Sequence, residues 1–314
     1  MTKAEYFALP GLSQSGMKDL AVSPLRYWFL HINPDRPEDK PSAEQQFGNA
    51  VHCAVLEPEQ FESRYAVECE ASDYEKCLVT IADIREFITS KGHKPKGTLK
   101  ADLIIQAHSI DSSMPILDIE LARAARANEG KIVLSKFDRD RAMACAGALR
   151  EEPQLKPILE AEHAFAELSI TTEENGVLLK GCLDWVWPGG FLDIKTFQQK
   201  SSASIAKTVT NAIFYEAYYR QMYFYAKLKG WPEWKGEAVM AFVESVPPHE
   251  VRIRSFQPKS GGQATLYWQR ALLETRDLIA KYKYYSDRFG AAPWREDCKI
   301  EVLEDEEISQ LAYS

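Results

Sequence analysis

Between residues 164 and 196 the chain drops helical periodicity and alternates with a period of two, over 164–171, 177–187 and 191–196. Two turn signals separate these runs, Asn175-Gly176 and Trp187-Pro188-Gly189-Gly190. No other feature constrains the fold as tightly. Two consecutive hairpins make three neighbouring antiparallel strands, and a two-residue period lets their register be counted. Asn-Gly suits a two-residue primed turn, whose central residues both need positive φ. With Glu174 opposite Val177, counting back along both strands sets Glu167 opposite Asp184. Pro188 cannot take positive φ, but it suits the first central position of a turn inside a four-residue loop. A two- or four-residue connection sets Val186 opposite Phe191 and therefore Asp184 opposite Asp193. A three-residue loop would put the two aspartates on opposite faces.

In that register Glu167, Asp184 and Asp193 form a row across three strands, each about 5 Å from the next. Lys195 lies two residues beyond Asp193 and shares its face, while Ile194 points the other way, into the core. One acid on a hairpin is most simply a solvated side chain. Three adjacent carboxylates repel one another, and a cation between them removes the repulsion. Oxygen ligands at this spacing suit Mg²⁺ or Mn²⁺, and the lysine is placed to orient or help deprotonate a water.

The rest of the chain supplies helices. Ser13 and Ser15 are candidate caps for one, Ser23-Pro24 starts a second with an apolar stripe of Leu25, Trp28 and Phe29, and Ser42 with Gln45 forms a capping-box pattern for a third. Residues 73–150 read as mainly helical, an insertion or subunit contact without visible chemistry. After the hairpins come a helix over 213–228, strands over 238–245 and 250–256, and a long amphipathic helix over 263–289. This order predicts an α/β or α+β fold, a central mixed sheet flanked by helices. The chain reads as a single domain, residues 1–314, with an acidic tail over 296–314.

Composition narrows the class. Hydrophobic residues make up 45% and charged residues 27%, as in a soluble globular protein. No apolar run reaches the length of a signal peptide core or a membrane span, so a cytoplasmic protein with no membrane contact is expected. Six cysteines occur without a Cys-x-x-Cys pair, which favours buried thiols over a zinc or iron–sulfur site. The net charge of −8 argues against passive polyanion binding over the whole surface. Basic residues nevertheless gather at Lys195, Lys200, Lys207, Arg220, Lys227, Lys229 and Lys235, a strip that is either a solvated face or a local phosphate-binding surface.

Two helical pairs complete the candidate site. Gly48 and His52 lie four apart, the glycine allowing close approach to another backbone and the histidine able to complete a metal shell; a hydrogen-bonded core histidine is the alternative. Gln221 and Tyr225 share a helix face and are placed to reach a phosphate or base, although a tyrosine-rich stripe is usually core.

Taken together, Asp184…Asp193-Ile194-Lys195, Gly48-x-x-x-His52 and Gln221-x-x-x-Tyr225 resemble the signature of PD-(D/E)XK nucleases of the RecB-like branch. The segments "GLSQSGMKDLAVSPLRYWF", "FGNAVHCAVLEPEQF" and "LDIKT" resemble more closely the nuclease domain of RecE, exodeoxyribonuclease VIII. The resemblance spans residues 11–294 and is weakest over 73–150. It implies a restriction-endonuclease-like core and a Mg²⁺-dependent exonuclease, with Mn²⁺ as a substitute, that degrades linear duplex DNA from the 5′ end and leaves a 3′ single strand for an annealing protein in phage-type recombination. It implies metal ligation by His52, Asp184, Asp193 and the Ile194 carbonyl, with Glu167 on a second metal or the water, and Lys195 activating that water. Gln221 and Tyr225 would position the strand, and Ser13, Ser15 and Arg220 would contact phosphate. A homo-oligomeric ring around DNA is also implied, in a bacterial or phage-infected cell. The alternatives are a single-strand-specific nuclease, whose relatives typically add a cysteine-ligated cluster this chain lacks, a catalytically silent DNA-binding protein of the same fold, and a restriction enzyme, for which no appended recognition domain is visible.

Overall fold

The computed structural model of the chain describes residues 3–36, 40–200, 202–256 and 266–296. Local chemistry sets most helix starts. After α1 (Lys3–Ala8), the Ser13 side chain accepts a hydrogen bond from Gly16 N and caps α2 (Gln14–Val22). Ser23 caps α3 (Pro24–His31), with Pro24 in its first turn, and Ser42 with Gln45 closes a capping box on α4 (Ala43–Leu56). These caps are legible in the sequence because each bonds within three residues. The stripe expected on α3 is only partly used: Trp28 packs against the core, whereas Leu25 and Phe29 are exposed.

Next come α5 (Phe61–Arg64) and β1 (Tyr65–Val67), then α6 (Ile81–Ser90), α7 (Lys100–Ile110), α8 (Leu117–Ala127) and β2 (Ile132–Leu134). β1 and β2 pair in parallel, an element too short to show a sequence period. Buried residues of α6 and α7 and Ile116 at the start of α8 close a small separate core. Helix α9 (Lys136–Glu151), followed by α10 (Lys156–Leu159), instead joins α4 in the main body, through Ala142, Cys145, Ala146 and Leu149. The helical stretch 73–150 therefore divides between two cores.

The main sheet has the order β3–β4–β5–β6–β7. Its strands are β3 (Phe165–Glu174), β4 (Val177–Trp187), β5 (Gly190–Phe197), β6 (Glu237–Glu244) and β7 (Val251–Ser255). Glu174 opposes Val177 and Val186 opposes Phe191, as the hairpin count requires. The second connection is only two residues, Pro188-Gly189, because Trp187 already pairs with Gly190. β5 runs parallel to β6, and the remaining pairings are antiparallel. The single helix expected over 213–228 is two, α11 (Ile205–Tyr215) and α12 (Tyr218–Leu228), separated by Ala217 at φ 53°. Helix α13 (Leu266–Phe289) ends the described core. Residues 263–265 of the expected last helix, and nearly all of the acidic tail, lie outside the described residues.

Helices cover both sheet faces. Leu192, Ile194, Val239, Ala241 and Val243 pack in one core with α4 and α9. Phe191, Met240 and Phe242 pack in the other with α2, α12 and α13. This is a mixed-sheet α+β fold with helices on both faces. Gly181 in β4 permits the second layer to close: a Cβ there would lie 2.5 Å from Leu228 and 3.2 Å from Tyr225 of α12. Among the described residues no helix is long and apolar enough to cross a membrane.

Candidate metal and hydrolytic site

The two long strands change phase at the residues that matter. Leu168 and Leu183 pack into the α12 core, yet Ala166 and Trp185, two residues along on each strand, pack into the α4 core. The register is unchanged on either side, with Ala166 opposite Trp185 and Leu168 opposite Leu183. The break falls at Glu167, whose φ of 53° is left-handed, a conformation a non-glycine residue adopts at a cost of roughly 1–3 kcal/mol. Asp184, between Leu183 and Trp185 on β4, thus stands where the sheet changes sides and reaches groups attached to both layers.

One carboxylate oxygen each from Glu167 and Asp184 and a ring nitrogen of His52 lie within 4.8 Å of one another. The His52 Nε2 atom is 2.9 Å from the Ile194 carbonyl oxygen, and Nδ1 is 3.6 Å from Asp184 Oδ2. A carbonyl only accepts, so in the neutral ring Nε2 carries the proton and the Nδ1 lone pair faces a carboxylate oxygen. In that tautomer a ring nitrogen and a carboxylate oxygen 3.6 Å apart both offer lone pairs, a donor set that suits a shared cation. Asp184 Oδ2 also accepts from Ile194 N at 2.8 Å. Cys182 donates to Glu167 at 3.6 Å, and burial, followed by the nearby Glu167 charge, pushes its thiol up to about 12. Cys182 is not among the residues the sequence singles out, although its place two residues before Asp184 is a usable signal.

Asp193 belongs to a second, drier group. It is 1% exposed, and its Oδ2 lies 2.6 Å from Lys195 Nζ while Oδ1 accepts from Gln221 Nε2 at 2.6 Å. Burial raises its carboxyl to about 6; Lys195 pulls the value down and Asp184 adds to the rise. Burial alone would lower the Lys195 pKa, but Asp193 and Asp184 outweigh it and hold the ammonium protonated. Lys195 also sits over the Tyr218 ring, 5.3 Å from its centroid. The Gln221 amide shares its donor with Tyr225 OH at 3.2 Å, and burial keeps that phenol neutral. The converging set is thus His52, Glu167 and Asp184, with Asp193, Lys195, Gln221 and Tyr225 hydrogen-bonded alongside.

Other expected residues sit elsewhere. Ser13 and Ser15 lie 3.0 Å apart, hydroxyl to hydroxyl, at the start of α2. Arg220, expected to face phosphate, is 6% exposed and pairs with Glu274 of α13 at 3.4 Å. Its neighbour Gln221 takes the site-facing position because adjacent helical residues point about 100° apart. Lys227 pairs with Glu174 and Lys195 with Asp193, so the basic strip is partly neutralised from within. Gly48 does not serve close backbone contact: a Cβ there would meet only Thr196 Oγ1, at 3.9 Å.

No protein-family model and no curated protein matches the chain. A solved structure does. The chain aligns over 99% of its own length and 97% of the other chain with a crystal structure from Eubacterium rectale named "Putative exonuclease", at a TM-score of 0.53 and 15% identity. That likeness is one of fold.

Proposed function

We propose that this chain is a divalent-metal-dependent deoxyribonuclease. The observation that carries the reading is the meeting of His52, Glu167 and Asp184 beside the Asp193–Lys195 ion pair, on a fold shared with a protein named as an exonuclease. The residues fit a hard divalent cation: two carboxylates and one imidazole, with Mg²⁺ or Mn²⁺ the natural choice. His52, Glu167 and Asp184 would hold it, while Asp193 and the Ile194 carbonyl, the further ligands implied by the sequence resemblance, are engaged here by Lys195 and Gln221 and by His52. Such a cation, when bound, lowers the pKa of water and offsets negative charge on the non-bridging phosphate oxygens.

The chain's own groups do the rest. Lys195 is protonated, so it contributes positive charge beside the phosphate rather than removing a proton. Asp193 sets the position of that ammonium, and Gln221 sets the position of Asp193. Tyr218 supplies a ring face that keeps the lysine directed into the site. In its finer form the proposal is a 5′-to-3′ exonuclease on linear duplex DNA, leaving 3′ single strands for an annealing protein and working as a ring of identical subunits. The sequence resemblance supports that form.

Linear duplex DNA labelled separately at its 5′ and 3′ ends, with Mg²⁺ or with EDTA and beside a circular control, tests the reading. Early loss of the 5′ label, only on linear DNA and only with metal, is expected. Retention of both labels with retardation of the DNA on a gel would overturn hydrolysis in favour of a binding protein.

A further inference from the structure

A cleft of about 640 Å³ opens beside the metal-ligating set, with His52, Glu167 and Cys182 in its wall. Its size lies within the roughly 300–1,000 Å³ of clefts that enclose a small ligand. The lining also holds aromatic rings, Tyr6, Phe7 and Tyr65, beside Arg64, whose guanidinium pairs with Glu57. Phe7 of α1 lines the cleft while 74% exposed, and Tyr6 beside it is buried, the two rings meeting edge to face at 5.4 Å.

An exposed phenylalanine on a six-residue helix would ordinarily be a loose side chain on a fraying end. Here the helix is pinned. Lys180 of β4, itself 8% exposed, donates from Nζ to the carbonyls of Tyr6 at 3.0 Å and Leu9 at 2.7 Å and lies over the Tyr6 ring. Three residues on, Leu12 N donates to Leu178 O and Leu12 O accepts from Lys180 N, adding the segment to the free side of β4. The result is an exposed aromatic ring lining the cleft, carried on a helix tied to β4. On α4, one turn before His52, Asn49 also lines the cleft, and its side-chain amide makes no hydrogen bond among the described residues.

We infer that this cleft holds one nucleotide of an unpaired strand end, its base stacked on Phe7 and its edge within reach of Asn49, so that the adjoining phosphate lies against His52, Glu167 and Asp184. Every base offers a π-face, so stacking suits a site that must accept each nucleotide in turn, and a cleft of this size admits one strand rather than a duplex. The inference rests on the nuclease reading for the role of the phosphate, but the stacking site itself does not need hydrolysis.

The test therefore avoids cleavage. A 5′-phosphorylated single-stranded tetranucleotide carrying 2-aminopurine at its 5′ end is titrated into the full chain in EDTA. Stacking on Phe7 should quench the probe fluorescence. Phe7→Ala should restore the fluorescence and weaken Kd roughly 5- to 50-fold, while Phe7→Trp keeps both. Because Phe7 is exposed, the alanine variant should fold, and its circular dichroism should match the wild type. Wild-type-like binding and quenching by Phe7→Ala, or no binding by the wild type, overturns the inference. Metal-dependent cleavage, measured separately, divides the two ideas. Stacking without cleavage sinks only the nuclease reading, and cleavage with an indifferent Phe7 sinks only this one.

Discussion

Gln221 Nε2 donates to Asp193 Oδ1 at 2.6 Å, joining α12 to β5 inside the protein. The bond holds a buried carboxylate in a single rotamer, with the other oxygen left for Lys195. Hydrogen bonds to charged groups contribute about 1.5–3 kcal/mol, and an apolar replacement strands the acceptor. Gln221→Leu should lower urea-unfolding stability by about 2 kcal/mol and reduce metal-dependent hydrolysis at least tenfold. An unchanged midpoint and rate would remove Gln221 from the site.

The Asp193–Lys195 pair should show its coupling directly. Lys195→Met leaves Asp193 buried without its cation and should cost about 2 kcal/mol, less than for a fully enclosed pair because the lysine side chain is 21% exposed. Adding Asp193→Asn should recover much of that loss. A double-mutant cycle that proves additive would mean the two charges do not interact.

Stability should depend on pH through the same carboxylate. Unfolded Asp193 titrates near 3.9 and the folded group at about 6. Between those values the folded state holds a proton that the unfolded state has released, so rising pH lowers stability across this window. The loss is on the order of 2–3 kcal/mol, and the contribution is full only below about pH 4. In EDTA, urea melts of wild type and Asp193→Asn should diverge from about pH 4 to 6, the wild type falling relative to the variant. A relative rise would contradict the burial-driven shift.

Glu167 holds a left-handed backbone conformation in the middle of a strand. Glycine takes that conformation without steric cost but loses more entropy on folding. Glu167→Gly should therefore leave stability unchanged or raise it by up to about 1 kcal/mol while abolishing metal-dependent cleavage. Destabilisation beyond about 1 kcal/mol would show that the strain is not relieved there.

The lone pairs of His52 and Asp184 make a prediction about metal alone. Mn²⁺ titrated into the metal-free protein should bind, and His52→Ala should weaken that binding roughly 10- to 100-fold with circular dichroism preserved. Equal affinity in the two proteins would exclude His52 as a ligand.

Both hairpin registers are legible in the sequence because they are local. Asn175-Gly176 fixes one turn and Pro188-Gly189 the other, and the pairings they start are as counted up to Leu168–Leu183 and Trp185–Leu192. The expected pairs Glu167–Asp184 and Asp184–Asp193 are not among the paired residues, because the strands change phase there. The caps at Ser13, Ser23 and Ser42 are readable for the same reason. The break between α11 and α12 is hidden because Ala217 is an ordinary helix former, and only its φ marks the turn. The failure of Arg220 to face the site is hidden because its partner, Glu274, lies 54 residues away.

By itself the sequence determined the two turns and the strand pairings that start from them, since covalent spacing and turn chemistry act over a few residues. Tertiary structure alone decided which side chains meet. It reversed the strand phase at Glu167, brought His52 to the Ile194 carbonyl over 142 residues, and dried Asp193 enough to raise its carboxyl to about 6. Desolvation and long-range contact depend on how whole layers pack, and no short window of sequence contains that information.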